Sequence, residues 1–561
     1  MKKTVILGAV VGLVGLLTSC YEDKGNYDYK DVNELTIEME EGSTLPPDFR
    51  LSMGETVELH PVIKFVNGEG DLERLEYQWT LIPDSQNWQD TYTEEGWNTL
   101  DFIWEPDFLI PNGRLQLTVT DPVTGLQSFG EAYISVASRY DVDGAMILSE
   151  KDGKTMFSFI KGTEFDLTIP TKVEVFEDVY FMENGEDLPD GPIRMHEHFC
   201  TDDSTCGQIL IMTENGAVDV SGLDFRKDID LQEAFDGQSY PEGFGYASDA
   251  MFMDRVDLVM DADGHVYSRL KNTNELFHSG YFLPNQLTVD GEQEPLVGCR
   301  PIVAPFKNYM QSCLLYDSAK RRFVVVGDAG TGSWDGPVEE NAGKPIALPA
   351  PVDTPAGVVD AFLAPTGMDS DAEIIAINYF TNNDYTRYGS VSYSIVFYMD
   401  GKTYCQEITV QKEYGSFRFS VLDPAVYEIT GLPGKPTFAY GVPSYKYTYA
   451  NNPMMYIAVG NELYVYDRMN PTLPVVKYNP RTPDGELLQN GFTADIVDMN
   501  CENFGSRWGV LALADGRVFI LKTIDTAYPE NQIVYYDSGD LSYGTVKQVL
   551  CKTGGENEWG Y

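Results

Sequence analysis

A strand–turn–strand unit recurs from residue 140 to the C-terminus, and it restricts the possible folds more than any other feature. In each copy an apolar strand enters a turn rich in Asp, Asn or Gly, and a second strand follows. The turns lie near Asp152, Asn215, Asp263, Lys320, Asp400, Asn461 and Asp515. A mean spacing of about 60 residues exceeds the roughly 40–45 residues of a minimal propeller blade and is explained by longer loops. The pattern predicts an all-β domain over residues 140–561, a β-propeller of about seven blades.

The last strand-like segment of the chain, residues 545–550, is not followed by a hairpin. It has the same strand type as residues 494–499, so it can complete the first blade of the ring. This pairing would remove two unpaired strand edges. The alternative architecture is a string of β-sandwiches.

A second pattern of short strands occupies residues 36–138. Apolar and polar residues alternate at 54–59, 75–80 and 115–121, and the last strand lies at 133–136. Strands at this spacing within about 100 residues are typical of an immunoglobulin-like β-sandwich. Trp79 is predicted to lie in the core between its two sheets.

The N-terminus has the features of a bacterial secretory signal. Lys2 and Lys3 precede an apolar run over residues 5–17, which is too short to cross about 30 Å of hydrocarbon. The following Leu-Thr-Ser-Cys resembles a lipobox, in which Cys20 becomes the acylated first residue of the mature protein. We predict a signal peptide over residues 1–19 and an acidic, flexible tether over residues 20–35.

Three stretches together resemble the PKD-like family lipoproteins of Bacteroidota. They are the opening Cys-Tyr-Glu-Asp-Lys-Gly-Asn-Tyr-Asp-Tyr, the Tyr-x-Trp strand with the Leu-x-Val-Thr-Asp-x-x-Thr-Gly turn, and the segment 143–150. The resemblance implies a lipid-anchored outer-membrane protein from a nutrient-acquisition locus. The acidic residues after Cys20 resemble the export signal of such lipoproteins, which implies a position facing the cell exterior. The family implies no particular biochemical activity.

Charge excludes one class of partner. The chain has 87 Asp and Glu against 39 Lys and Arg, which gives a formal net charge of −48. Binding to nucleic acid requires clustered basic residues, so a nucleic-acid partner is not expected. The sequence has no Gly-x-Ser-x-Gly, His-Glu-x-x-His, phosphate-binding or dinucleotide-binding motif, and no cofactor is expected.

Two patterns contain residue types that bind metal ions. On a strand, His196 and His198 would face the same side and could share a zinc ion with a carboxylate or thiolate. A solvated loop explains the same residues and is the preferred interpretation. Asp-x-Asp-Gly at 141–144 and 261–264 resembles the start of a calcium loop. Because Asp-Gly is also what a two-residue hairpin turn requires, a turn is preferred there.

Two cysteine pairs are close enough in sequence to form disulfides in an oxidising compartment. They are Cys200 with Cys206, and Cys299 with Cys313. The spacing of the cysteines fits no known disulfide scaffold, so both pairings stay open at this point.

Aromatic residues are concentrated in segments that resemble loops. The candidate ligand-binding residues are Trp334, Tyr385, Tyr388, Tyr445, Tyr447 and Tyr449. Their rings suit both sugar rings and peptide side chains. The alternative is that the alternating tyrosines belong to a strand with one packed face.

Three classes of function fit these features. The first is a non-catalytic protein that binds glycan or peptide for a neighbouring transporter or hydrolase. The second is a glycan hydrolase or lyase that uses propeller carboxylates, and the third is a structural scaffold of a surface complex. Aromatic and acidic side chains in one deep funnel would favour the enzyme.

Overall fold

A computed structural model of the chain describes residues 33–40, 42–43, 45–67, 70–83, 91–140, 143–162, 173–198, 207–253, 255–271, 278–302, 312–328, 342–380, 390–412, 418–442, 452–489, 491–502 and 507–552. Two compact units, Met1–Ala137 and Ser138–Tyr561, divide the chain. Almost all regular structure is β. Within the described ranges, no helix is long and apolar enough to cross a bilayer.

The first unit consists of three small sheets. Its strands are β1 (Leu35–Glu38), β2 (Asp48–Ser52), β3 (Val57–Leu59), β4 (Val62–Phe65), β5 (Glu76–Pro83), β6 (Phe102–Trp104), β7 (Ile110–Thr120) and β8 (Gln127–Ala137). One sheet has the order β2-β8-β7-β5, in which β2 runs parallel to β8. Strand β1 pairs with β4, and β3 pairs with β6. This arrangement agrees with the predicted immunoglobulin-like sandwich.

Trp79 lies at the centre of the first unit, as the sequence predicts. Its side chain is fully buried, and its ring contacts Phe102 with 4.6 Å between the ring centroids. The indole Nε1–H donates a hydrogen bond of 3.0 Å to the carbonyl oxygen of Thr99. The polar atom of this large side chain is therefore satisfied inside an apolar core.

The second unit contains the remaining strands. They are β9 (Gly144–Lys151), β10 (Lys154–Gly162), β11 (Val173–Phe176), β12 (Pro192–His198), β13 (Gln208–Thr213), β14 (Gly216–Ser221), β15 (Lys227–Asp230), β16 (Asp249–Phe252), β17 (Val256–Met260), β18 (Val266–Leu270), β19 (Cys299–Ile302), β20 (Ser312–Asp317), β21 (Arg322–Gly327), β22 (Pro345–Ala347), β23 (Ala356–Gly357), β24 (Glu373–Phe380), β25 (Ser390–Met399), β26 (Lys402–Lys412), β27 (Phe419–Ile429), β28 (Phe438–Gly441), β29 (Met454–Val459), β30 (Glu462–Asp467), β31 (Val476–Lys477), β32 (Ile496–Cys501), β33 (Trp508–Leu513), β34 (Val518–Lys522), β35 (Val534–Asp537) and β36 (Thr545–Lys552). Helix α1 (Val179–Asn184) follows β11. Short 3₁₀ helices span Leu72–Arg74 in the first unit, and Leu231–Ala234, Val359–Ala361 and Pro529–Asn531 in the second.

These strands form seven sheets, which are the blades of a propeller. In chain order the blades are β36-β9-β10-β11, β12–β15, β16–β18, β19–β22, β24–β27 with β23 added at its edge, β28–β31 and β32–β35. The strands β36, β12, β16, β19, β24, β28 and β32 contact one another in this cyclic order. They are therefore the innermost strands of a seven-bladed β-propeller, as predicted.

Each predicted hairpin joins the second and third strands of a blade, counted from the centre. Asp152 and Asp400 have positive φ angles of 55° and 51°, and the φ angle of the glycine after each of them is also positive. Two such residues in succession make the type I′ turn that suits the twist of a hairpin, which is why Asp-Gly recurs there. We call the side of the propeller that carries these turns the hairpin rim.

The last strand closes the ring in the predicted way. Strand β36 pairs antiparallel with β9, with Thr545 opposite Glu150 and Lys552 opposite Gly144. The C-terminus thus supplies the innermost strand of a blade whose other strands come from the start of the domain. Both strands lose the free edge that they would otherwise present.

The Cys299–Cys313 disulfide, one of the two pairings that the sequence left open, is not formed in the structure, because both cysteines are buried free thiols. They lie on paired strands, but the register places Cys299 opposite Asp317 and Ile302 opposite Leu314. The two cysteines are therefore about four residues, roughly 13 Å, apart along the ladder. A disulfide needs Cα atoms within about 7 Å. The other predicted pair, Cys200 and Cys206, lies outside the described residues.

Alkylation tests this correction. In denaturant without a reducing agent, iodoacetamide should modify both Cys299 and Cys313, because neither thiol is bonded. Peptide mass spectrometry should show the two modified peptides separately. A peptide pair linked through these cysteines would contradict the strand register.

Candidate functional site

A cavity of about 620 Å³ lies at the centre of the propeller. Its lining comes from six innermost strands, β12, β19, β24, β28, β32 and β36, with additional residues from the β20–β21 hairpin. This volume is in the usual range for sites that bind small ligands. The cavity is therefore a site that only ring closure creates, since its walls are far apart in sequence.

The charged residues of the cavity lie near the hairpin rim. Arg194, Arg300, Glu373 and Asp498 each lie within the first three residues of an innermost strand. The first residue of such a strand pairs next to a hairpin turn, as Glu373 does opposite Tyr398. The charged part of the cavity is thus on the side of the propeller that carries the hairpin turns.

The arginines of the cavity differ in their partners. Arg194 contacts the buried Asp249, with 2.5 Å between Nη1 and Oδ2. Arg321 donates through Nη2 to the carbonyl oxygens of Asp369 and Ala372, each at 2.6 Å. The side chain of the exposed Arg300 has no hydrogen bond or ion pair with any described residue. One guanidinium in the lining is therefore available to a ligand.

Three carboxamides in the cavity wall present their NH₂ groups. The backbone N–H of Cys551 donates to Asn500 Oδ1 at 2.9 Å, and that of Met195 donates to Gln548 Oε1 at 2.7 Å. The amide nitrogen of Asn378 is buried without a partner among the described residues. The oxygens of Asn500 and Gln548 each accept one hydrogen bond, while no described residue accepts one from their NH₂ groups, so the wall has more unused donors than unused acceptors. We call Asn378, Asn500 and Gln548 the donor wall.

Asp498 is an acidic residue of the cavity lining whose carboxyl pKa is far from its ordinary value. Burial raises the pKa of its carboxyl to about 7, against the opposing effects of backbone donors and Arg194. The Val549 N–H donates to Asp498 Oδ2 at 2.8 Å. Near neutral pH this side chain is therefore protonated in a large fraction of molecules.

The raised pKa of Asp498 predicts a pH-dependent stability. Between about pH 4 and pH 7 the folded chain holds a proton that the unfolded chain has released, so this group makes stability fall as the pH rises. Asp498→Asn keeps the acceptor for Val549 but cannot ionise. Urea unfolding at pH 5 and pH 8 should show that the parent chain loses ~1–2 kcal/mol more than the variant. An identical loss in both proteins would contradict the assignment.

The structure directs the two candidate zinc ligands to different carboxylates. His196 Nε2 lies 2.7 Å from Asp249 Oδ1, and His198 Nε2 lies 3.0 Å from Asp219 Oδ2. Asp219 also contacts His278, with 2.9 Å between Oδ2 and Nε2. In the described part of the chain no three His, Cys, Asp or Glu side chains are placed to hold a metal ion. The zinc prediction gains no support here.

The Asp261 turn has the arrangement of a hairpin turn. Its Oδ1 accepts hydrogen bonds of 2.9 Å from the backbone N–H groups of Asp263 and His265. Its Oδ2 accepts one of 3.2 Å from the Tyr267 hydroxyl. The carboxylate is thus engaged by its own turn. Of the other predicted calcium motif, residues 141–142 lie outside the described part.

The predicted aromatic residues and the lipidation site lie outside the described residues. They are Trp334, Tyr385, Tyr388, Tyr445, Tyr447, Tyr449 and Cys20. Strands β24 and β28 end at Phe380 and Gly441, away from the hairpin rim. These strand ends lie on the opposite side of the propeller to the charged residues of the cavity.

Sequence reasoning missed the polar residues of the cavity. One signal was present, because Asp498 and Asn500 are polar at alternate positions of one strand and so share a face. Alternation alone does not distinguish a solvent-facing strand from one that lines a cavity. The unpaired state of Arg300 leaves no trace in the sequence.

Comparison with known proteins matches part of this chain to a family. The model of the PKD-like family matches residues 20–192. The match includes the first unit and the beginning of the propeller. No curated protein matches the chain.

Solved structures with similarity to the chain include three bacterial proteins. A quinonprotein alcohol dehydrogenase-like protein from Bacteroides thetaiotaomicron has 12% identity, 92% coverage of this chain, 99% coverage of its own and a TM-score of 0.38. AztD from Citrobacter koseri has 9% identity, coverages of 78% and 94%, and a TM-score of 0.33. BamB from Moraxella catarrhalis has 10% identity, coverages of 73% and 91%, and a TM-score of 0.28. The assignment of the propeller rests on strand pairing in this chain.

Proposed function

We propose that the chain is a surface lipoprotein that captures a glycan or peptide in the central cavity of its propeller without catalysing a reaction. An acylated Cys20 anchors the protein in the outer membrane, facing the cell exterior. The captured ligand passes to neighbouring transporter or hydrolase components. In the sequence, the tether and the sandwich lie between Cys20 and the propeller.

The cavity is the observation that carries this proposal. It combines a ligand-sized volume with an unpaired guanidinium and amide donors whose positions are fixed by backbone hydrogen bonds. Pre-positioned polar groups in a concave site reduce the entropic cost of binding. A scaffold protein would have no need of such a site.

The acidic residues of the lining favour binding over glycoside hydrolysis. Glu373 and Asp498 are the acids among the described lining residues. Glu373 is paired with Lys435, with 2.5 Å between Oε1 and Nζ. Asp498 accepts a backbone hydrogen bond. Two carboxyl groups free to act on a glycosidic bond are not present in this set, whereas such enzymes usually require a pair.

A binding screen tests the proposal. The chain from residue 21 onward is applied to arrays of glycans and peptides, and each ligand bound is incubated with the protein and analysed for products. Ser318→Trp, at an exposed residue of the lining, should weaken binding at least tenfold by narrowing the cavity, and Ser318→Ala should not. Product formation, or binding unaffected by Ser318→Trp but lost in Tyr445→Ala with Tyr447→Ala, would contradict the proposal.

A further inference from the structure

The central cavity is electrostatically unlike the rest of the chain. The chain has a net charge of −48, yet the charged residues of the cavity lining include three arginines and only two acids. One of these acids, Glu373, is neutralised by Lys435. Arg194 is neutralised by Asp249, but Arg300 has no counter-ion among the described residues. The cavity is thus a local basic site in an acidic protein.

The hydrogen-bonding groups of the cavity wall also favour a ligand that carries acceptor groups. The donor wall offers NH₂ groups, while the Asn500 and Gln548 oxygens already accept backbone hydrogen bonds. Asp498 Oδ2 is also occupied, by the Val549 N–H. A ligand that carries several acceptor groups therefore matches the unused hydrogen-bonding groups of this wall best.

From this geometry we infer that the cavity binds an anionic glycan, whose carboxylate or sulfate group is held by Arg300 and whose oxygens accept hydrogen bonds from the donor wall. This inference rests on the proposed function and deepens it. A guanidinium binds a carboxylate or sulfate through two parallel hydrogen bonds, which supplies both charge and direction.

A glycan fits the wall better than a peptide does. Sugar hydroxyl and ring oxygens can accept hydrogen bonds from amide groups, and a hydroxyl can rotate its own O–H toward water or a neighbouring sugar oxygen. Each peptide N–H instead needs an acceptor, and a buried N–H left without one costs free energy. The side-chain oxygens of Asn500 and Gln548 and Oδ2 of Asp498 each already accept a backbone hydrogen bond, which leaves fewer acceptor positions for the fixed N–H groups of a peptide.

Titration calorimetry with matched probes tests this inference. The probes are digalacturonate, its dimethyl ester, and a lactose that carries one sulfate and no carboxylate, each added to the chain from residue 21 onward. We expect binding of at least one anionic probe and at least tenfold weaker binding of the neutral ester. Carboxylate and sulfate as the anion are distinguished by which of the two anionic probes binds more tightly.

Variants of Arg300 locate the anion. Arg300→Gln removes the charge-assisted hydrogen bonds, so it should weaken binding of the anionic probe about 10- to 100-fold. The affinity of Arg300→Lys for this probe should lie between those of Arg300→Gln and the parent. Arg50→Gln is the matched control, because Arg50 lies in the first unit with 84% of its side chain exposed. Thermal unfolding should be unchanged in all three variants, since the Arg300 side chain has no partner to lose.

The outcomes separate this inference from the proposed function. Equal binding of digalacturonate and its ester would overturn the anionic preference and leave a cavity that captures neutral glycans. An anionic probe that binds with unchanged affinity to Arg300→Gln would overturn the assigned anchor. If no anionic probe binds while the array screen finds neutral glycans or peptides that Ser318→Trp excludes, the inference fails and the proposed function stands.

Discussion

A chain that ends at Gly544 should fail to form a stable propeller. Without β36, strand β9 has a free edge, and the innermost position of the first blade is empty. Val546, Val549 and Cys551 are buried in the apolar cluster that β36 shares with the blades beside it. Burial of three such side chains contributes ~4–8 kcal/mol, which is comparable to the net stability of a domain.

The measurement is urea unfolding followed by circular dichroism, with gel filtration of the native state. The truncated chain should lose the cooperative transition of the propeller or aggregate through its open edge. Lys547→Gln is a control on the same strand, because Lys547 is exposed and its 3.6 Å ion pair with Glu150 is at the surface. An unchanged urea midpoint in the truncated chain would show that the ring does not depend on its last strand.

Asp257→Ala should destabilise the propeller by ~3–5 kcal/mol. Asp257 is fully buried on β17 and contacts two buried cations on the neighbouring segment. Its Oδ2 lies 2.8 Å from Arg269 Nε, and its Oδ1 lies 3.4 Å from Lys271 Nζ. Removal of the carboxylate leaves both cations buried without this counter-charge, and this desolvation cost is the reason for the large effect.

Acid should weaken the same cluster. Burial alone would raise the pKa of Asp257, but the Lys271 and Arg269 cations reverse this effect and lower it overall. Its contribution to stability is thus present above the ordinary pKa of an aspartate and is lost as the pH falls through the lowered value.

Urea unfolding at pH 7 measures the stability lost in Asp257→Ala, and Asp263→Asn, at an exposed turn position, is the control. A loss below about 1 kcal/mol would contradict the assigned role.

The propeller could be predicted because the sequence features that indicate each blade lie within a short segment of the chain. The hairpin at Asp152 combines strand alternation with an Asp-Gly turn, and both features lie within about 15 residues. The closing strand was predictable for a related reason, since residues 545–550 repeat an earlier strand type without a partner nearby. Such patterns identify the number and the order of the blades without any knowledge of side-chain contacts.

The cavity was not predictable, because its residues meet only after the ring closes. Arg194 and Gln548 are more than 350 residues apart, yet both line the same cavity. The Cys299–Cys313 pairing could not be decided from the sequence for a related reason. Closeness in sequence does not determine strand register, and in the observed register these cysteines lie about four residues apart along the strands. Tertiary packing determines burial and strand register, and neither can be derived from the composition or from the spacing of residues in the sequence.

A crystal structure of the complex with the most tightly bound glycan tests the central claim most directly. We expect ligand density in the central cavity, with a carboxylate or sulfate oxygen within hydrogen-bonding distance of Arg300 and sugar oxygens against the donor wall. Ligand density against Tyr445 or Tyr385, with an empty cavity, would contradict this claim.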